Sequence, residues 1–158
     1  MKYIEAPSDY SLKNNELSLF IAGGITNCRP WQTDLVKLLK DLPIVVFNPR
    51  RENFDVNDKS AAQKQIEWEF KALEDASHIS FWFSSETLQP ITLYELGRWT
   101  RGNKPLIVGC DPKYPRIKDV QIQLGLARPD IEICYSLPKL ADKIRETILT
   151  DIAKKVNA

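Results

Sequence analysis

The sequence predicts an α/β domain: a doubly wound, five-stranded, mostly parallel sheet with helices on both faces. Three observations carry that expectation. Short apolar runs alternate with amphipathic helical patterns along most of the chain. The runs are apolar at nearly every position, as in strands covered on both faces, rather than at every second one. Glycine and proline fall at the boundaries between them. The resulting order, a strand followed by a helix five times over, is that of flavodoxin- or Rossmann-like sheets. At 158 residues the chain has the length of one domain. No repeat or linker divides residues 1–158. Residues 1–15 are polar and read as an irregular arm or an extra edge element.

The elements follow in order. Residues 17–22 form an apolar run stopped by Gly23-Gly24. Pro30 suits a first helical position, where its missing N–H is no loss. Trp31, Leu35, Leu38, Leu39 and Leu42 then keep helical spacing until Pro43. Residues 44–47 are a second strand, closed by Asn48-Pro49. Residues 48–60 form a long polar loop, a length that in compact domains tends to be functional or mobile. A helix is expected over 61–75, a strand over 78–83, a loop over 84–90 and a helix over 91–101. A fourth strand covers 105–109, a helix 118–128 and a fifth strand 131–135. Ser136 is placed to cap a last helix with a clean stripe from Leu137 to Val156.

Composition excludes several kinds of chemistry. Lys and Arg number 22 against 21 Asp and Glu, a net charge of +1. That balance argues against a polymer of nucleic acid as partner. Cys28, Cys110 and Cys134 stand far apart and His78 is the only histidine. This argues against a disulfide framework, a metal centre and a histidine-based triad. No cofactor is expected. The N-terminus lacks the apolar run of a signal peptide and no stretch is long enough to span a membrane. A soluble, cytoplasmic protein is expected, and carboxylate chemistry is the kind most available to it.

In doubly wound sheets the ligand lies beyond the carboxyl ends of the strands. That rule selects the loops 23–29, 48–60, 84–90 and 110–116. Gly23-Gly24 reads either as a turn that lets a ligand approach the backbone or as a tight strand-to-helix connection. GxGxxG and the P-loop are both absent. Asn48 at a strand end is a ligand candidate. Arg50 can grip a phosphate or a base, and Arg51 reads as a solvated surface group. On the helix 61–75, Ala62, Ile66, Phe70 and Leu73 share one arc with Ala76 just beside it, and Glu69 falls between Ala76 and Ala62. A carboxylate there is costly unless it faces a cleft, and burial would raise its pKa. Ile91, Glu95 and Trp99 lie on one line of the next helix. Glu95 is near its N-terminus, where backbone dipoles favour the ionised form. An ionised glutamate beside a protonated one is the pairing that glycosyl transfer needs. His78 and the run 81–83 read as core.

The run Gln65-Ile-Glu-Trp-Glu-Phe70, the stretch from Phe81 to Pro90 and Ile91-Thr-Leu-Tyr-Glu-Leu-Gly97 together resemble the nucleoside 2-deoxyribosyltransferase family. More narrowly they resemble its branch with Gly-Gly-Ile, Asn-Pro-Arg-Arg and Tyr-Glu-Leu-Gly. The resemblance covers roughly residues 17–137. It implies a doubly wound fold, and Glu95 as a nucleophile that takes 2'-deoxyribose from one base and passes it to another with retention. Glu69 stands where the family has an acid that handles the proton on the base, usually an aspartate. The resemblance also implies sugar contacts from Gln89, or from Glu86 in a longer loop, and base contacts from Gly23, Gly24 and Ile25. Its partners would be a 2'-deoxynucleoside, a free nucleobase and further copies of the chain in an oligomer built on dimers. Two alternatives stand beside transfer. One is hydrolysis of deoxynucleoside 5'-monophosphates, with phosphate held by Arg50 or by backbone near Gly24. The other is a non-catalytic nucleotide-binding or sensor domain on the same fold.

Overall fold

The computed structural model describes residues 1–51 and 59–157. The part of the polar loop from Glu52 to Asp58 lies outside them. The elements are β1 (Lys2–Glu5), β2 (Ser18–Gly23), α1 (Trp31–Leu39), β3 (Val45–Asn48), α2 (Lys59–Asp75), β4 (His78–Phe83), α3 (Pro90–Trp99), β5 (Leu106–Cys110), α4 (Ile117–Ala127) and α5 (Leu137–Val156). The strands form one sheet in the order β1-β3-β2-β4-β5, and every pairing is parallel.

Residues along each central strand divide alternately between two cores. Leu19, Ile21, Val46, Trp82 and Ile107 meet α1 and α5 through Trp31, Leu35, Leu140 and Ile144. Phe20, Phe47, Phe81, Phe83 and Val108 meet the other three helices through Trp68, Ala72, Leu96 and Val120. Both faces are apolar, so the strands carry continuous apolar runs. The chain leaves β2 toward β3 on one side, then crosses to β4 on the other. This reversal between β2 and β4 is where such a sheet opens a crevice at its carboxyl edge.

One strand expectation needs correction, and one of the two readings of residues 1–15 holds, the extra edge element. Residues 131–135 do not form a strand. Only Cys134 reaches the sheet, exchanging hydrogen bonds with Val108 and Cys110 at 2.9 and 2.8 Å. The Ile131 amide is instead spent on a turn, donating to the Arg128 carbonyl at 3.0 Å. The fifth strand is instead β1, within the polar arm. As an edge strand it turns Ile4 to the core and exposes Lys2 and Tyr3, so it carries no apolar run. The helices match their expected positions to within three residues, α1 stopping at Leu39 short of Leu42, and Ser136 caps α5 by accepting from the Lys139 amide at 3.3 Å. His78 is buried between Ser77 Oγ at 2.9 Å and Asp151 at 3.0 Å. No helix of the described residues is long and apolar enough to cross a membrane.

Candidate active site

A cavity of about 480 Å³ opens at the switch point. Its walls are the turn after β2, Pro49 after β3, one face of α2, and the start of α3 with the loop before it. Glu69 and Glu95 both line it, and so do Gly23, Gly24, Ile25 and Gln89. A larger groove of about 1050 Å³ lies between α3 and α4. The smaller cavity is the candidate site, because it gathers two half-buried carboxylates at the carboxyl edge of the sheet.

Glu69 reaches the cavity from a helix face other than the one its apolar residues suggest. Ile66 and Phe70 are 66% and 53% exposed, whereas Ala61, Trp68, Ala72, Leu73 and Ala76 are buried. The buried arc is thus turned by about a quarter of the helix circumference relative to the expected one. Glu69 lies inside both arcs, between Ala76 and Leu73. Trp68 sets this rotation by inserting among Phe20, Phe47 and Tyr10, with its indole N–H on the Ser8 carbonyl at 2.8 Å. Gln65, one turn before Glu69, donates from Nε2 to the Pro49 carbonyl at 2.7 Å and to Glu69 Oε1 at 2.5 Å. Burial raises the Glu69 pKa, and the Gln65 hydrogen bond and the Arg51 charge oppose that rise.

Glu95 stands in the second turn of α3. Burial pushes its pKa up to about 8, helped by the Glu69 charge and opposed by Arg98. The helix N-terminus does not keep it ionised, contrary to the expectation from its position. The dipole effect fades within the first turn, and desolvation outweighs it here. Thr92 lies one turn earlier, buried and in the cavity wall, and is a candidate that the sequence motifs did not single out. Ile91 stays 65% exposed at the mouth rather than packing over Glu95.

Both glycines of the first turn serve close packing. A Cβ at Gly23 would stand 2.4 Å from the Trp31 ring and 2.5 Å from the Trp82 carbonyl. One at Gly24 would stand 2.5 Å from Cys28 Sγ and 2.8 Å from Gln89 Cδ. The Gly24 carbonyl accepts from Trp31 Nε1 at 2.9 Å and Gln32 Nε2 at 3.2 Å. Its amide donates to Gln89 Oε1 at 2.8 Å.

Three other expected site residues stand outside the cavity lining. Asn48 is buried, donating to the Tyr3 hydroxyl at 2.6 Å and accepting from the Arg50 amide at 3.0 Å. Arg50 turns one guanidinium nitrogen to the carbonyls of Ile25 and Cys28, both at 2.7 Å, and to that of Arg29 at 3.3 Å. It fastens the first turn from outside. Glu86 is exposed and 3.6 Å from Arg29. Among the described residues no group of three or more His, Cys, Asp or Glu converges as a metal site would require.

No curated protein matches the sequence. A family model described as nucleoside 2-deoxyribosyltransferase-like matches residues 16–114. That span is well over half of the chain and holds β2 to β5, both glutamates and every wall of the cavity. The chain belongs to the nucleoside 2-deoxyribosyltransferase-like family.

Proposed function

We propose that this protein exchanges nucleobases on 2'-deoxyribose by double displacement. The observation that carries the reading is the pair Glu69 and Glu95 in one cavity, on two helices that flank the switch point. The Glu95 carboxylate attacks C1' of a 2'-deoxynucleoside. The C1'–N bond breaks, its electron pair leaves with the base, and Glu69 supplies the proton that the base takes up. A deoxyribosyl ester on Glu95 results. A second base attacks that ester from the side the first one left and gives its proton to Glu69. Two inversions leave the configuration retained.

The competent pair carries one proton. Burial raises the pKa of both, and the Glu69 charge adds to the rise at Glu95. Positive charge developing at C1' stabilises the carboxylate beside it, so the proton resides on Glu69 as the bond breaks.

Phosphate recognition by Arg50 finds no support, because its guanidinium faces three backbone carbonyls. The reading therefore favours a nucleoside over its monophosphate. We also propose a cytoplasmic homo-oligomer built on dimers. Ile66 and Phe70 on α2 and Ile91 and Tyr94 on α3 are exposed apolar side chains, suited to contact with a second copy. Light scattering in solution measures that state, and a monomer at micromolar concentration would refute it.

The deciding assay is base exchange with deoxyinosine or deoxythymidine as donor and adenine or cytosine as acceptor. New nucleoside formed in proportion to acceptor is the expected result. Sugar released from deoxynucleoside monophosphates alone would point to hydrolysis. Thermal stabilisation by nucleotides without turnover would point to a sensor.

A further inference from the structure

We propose that Gln89 is a positioning residue that locks the Gly24 turn to the start of the Glu95 helix, and not a ligand of the sugar. Gln89 is the residue before α3 and is only 5% exposed. Its backbone is left-handed, with φ 49° and ψ 57°, a region unfavourable for a long side chain. That conformation turns the side chain inward. Nε2 donates to the Ser84 carbonyl at 2.7 Å and to Ser84 Oγ at 3.0 Å. Oε1 accepts the Gly24 amide at 2.8 Å. Both N–H donors and one of the two lone pairs of Oε1 are engaged within the protein, so the amide is committed to the fold before any substrate binds.

The side chain thereby joins the turn after β2 to the loop after β4, and the backbone carbonyl of the same residue accepts the Leu93 amide of the first turn of α3 at 3.1 Å. Glu95 follows six residues later on that same helix. The link fixes the spacing between the wall at Gly24 and the carboxylate at Glu95. The close fit of Gly24 against Gln89 Cγ and Cδ makes the link rigid. Errors of about 1 Å in such a spacing cost on the order of a hundredfold in rate.

The kinetic half of this inference rests on the transfer reading; the structural half does not. Kinetics of Q89A with deoxyinosine and with 2',3'-dideoxyinosine, adenine as acceptor, test the first half. A positioning role lowers kcat/KM for both donors by one common factor, about tenfold to a hundredfold, mainly through kcat. A loss confined to the donor that bears the 3'-hydroxyl would make Gln89 a sugar ligand and overturn the proposal. Should Q89A melt below the assay temperature, Q89M carries the same comparison, since it fills the space and removes both the donors and the acceptor. Hydrogen exchange in the free protein tests the structural half. The Gly24 amide exchanges slowly in the wild type and faster in Q89A, with the α5 amides unchanged. Equal Gly24 exchange in both would overturn the link. If the wild type shows no turnover at all, the transfer reading fails, and Gly24 exchange still decides the link.

Discussion

The Glu95 carboxyl shares a cavity with Glu69, and the Glu69 charge helps hold its proton up to a pKa of about 8. The two titrate as a pair with one shared proton over a broad range. Activity then needs the singly protonated pair. The pH profile of kcat/KM is expected to be a bell, with an upper limb near pH 8. Its lower limb lies above the 4.5 of an ordinary glutamate, because Glu69 is raised as well. A profile flat from pH 5 to 9 would refute the pairing.

The same burial links Glu95 to stability. Its folded pKa is about 8 against 4.5 when unfolded, so the native state holds the extra proton between those values. Stability contributed by the protonated form is full below pH 4.5 and declines as pH rises toward 8. Glu95→Gln removes that decline. At 1.36 kcal/mol per pH unit the gain at pH 8 and above is at most about 5 kcal/mol. Melting temperatures should match the wild type at pH 4 and exceed it at pH 8. The same variant should lose base exchange by on the order of 10⁴-fold or more. Mass spectrometry of wild-type protein given donor alone should find a deoxyribosyl adduct on Glu95.

Most of the sheet was legible because strands covered on both faces carry unbroken apolar runs. Residues 78–83 are buried throughout and read as a strand at once. The edges of the sheet were only partly legible: β1 buries Ile4 alone at depth, so an edge strand and an irregular arm read alike there, and residues 131–135 have strand composition but pair only at Cys134. Glu69 was found on an arc whose centre was misplaced. Ile66 and Phe70 look like core residues and face outward, and no helical spacing distinguishes a core face from an exposed apolar one. Gln65 and Ser84 were hidden for another reason. Their roles depend on hydrogen bonds to Glu69, Pro49 and Gln89, which residue type alone does not reveal.

Arg50→Ala should loosen the first turn. One charged nitrogen holds three carbonyls there, and charge-assisted hydrogen bonds contribute about 1.5–3 kcal/mol. A loss of stability of that order is expected, with a higher KM for the acceptor base. The nucleoside and its monophosphate should be affected alike. A loss seen only with the monophosphate would return Arg50 to a phosphate-binding role.

Gly24→Ala tests packing at the same turn. Its Cβ would collide with Cys28 Sγ and with Gln89, both of them buried. Overpacking of this kind costs about 1–3 kcal/mol. Pairing it with Cys28→Ala should recover part of the loss in a thermal melt, and full independence of the two changes would refute the contact.

Glu69→Gln separates proton supply from site shape. Glutamine keeps the volume and can still meet Gln65, but it cannot give a proton to a leaving base. General-acid removal costs about 10²–10⁴-fold where the leaving group needs that proton. Deoxyinosine cleavage should fall by that factor. A 7-methyl-2'-deoxyguanosine donor carries its positive charge on the base already and departs without protonation, so its cleavage should stay near the wild-type rate. Equal losses on both donors would mean that Glu69 shapes the cavity, or tunes Glu95, without delivering the proton.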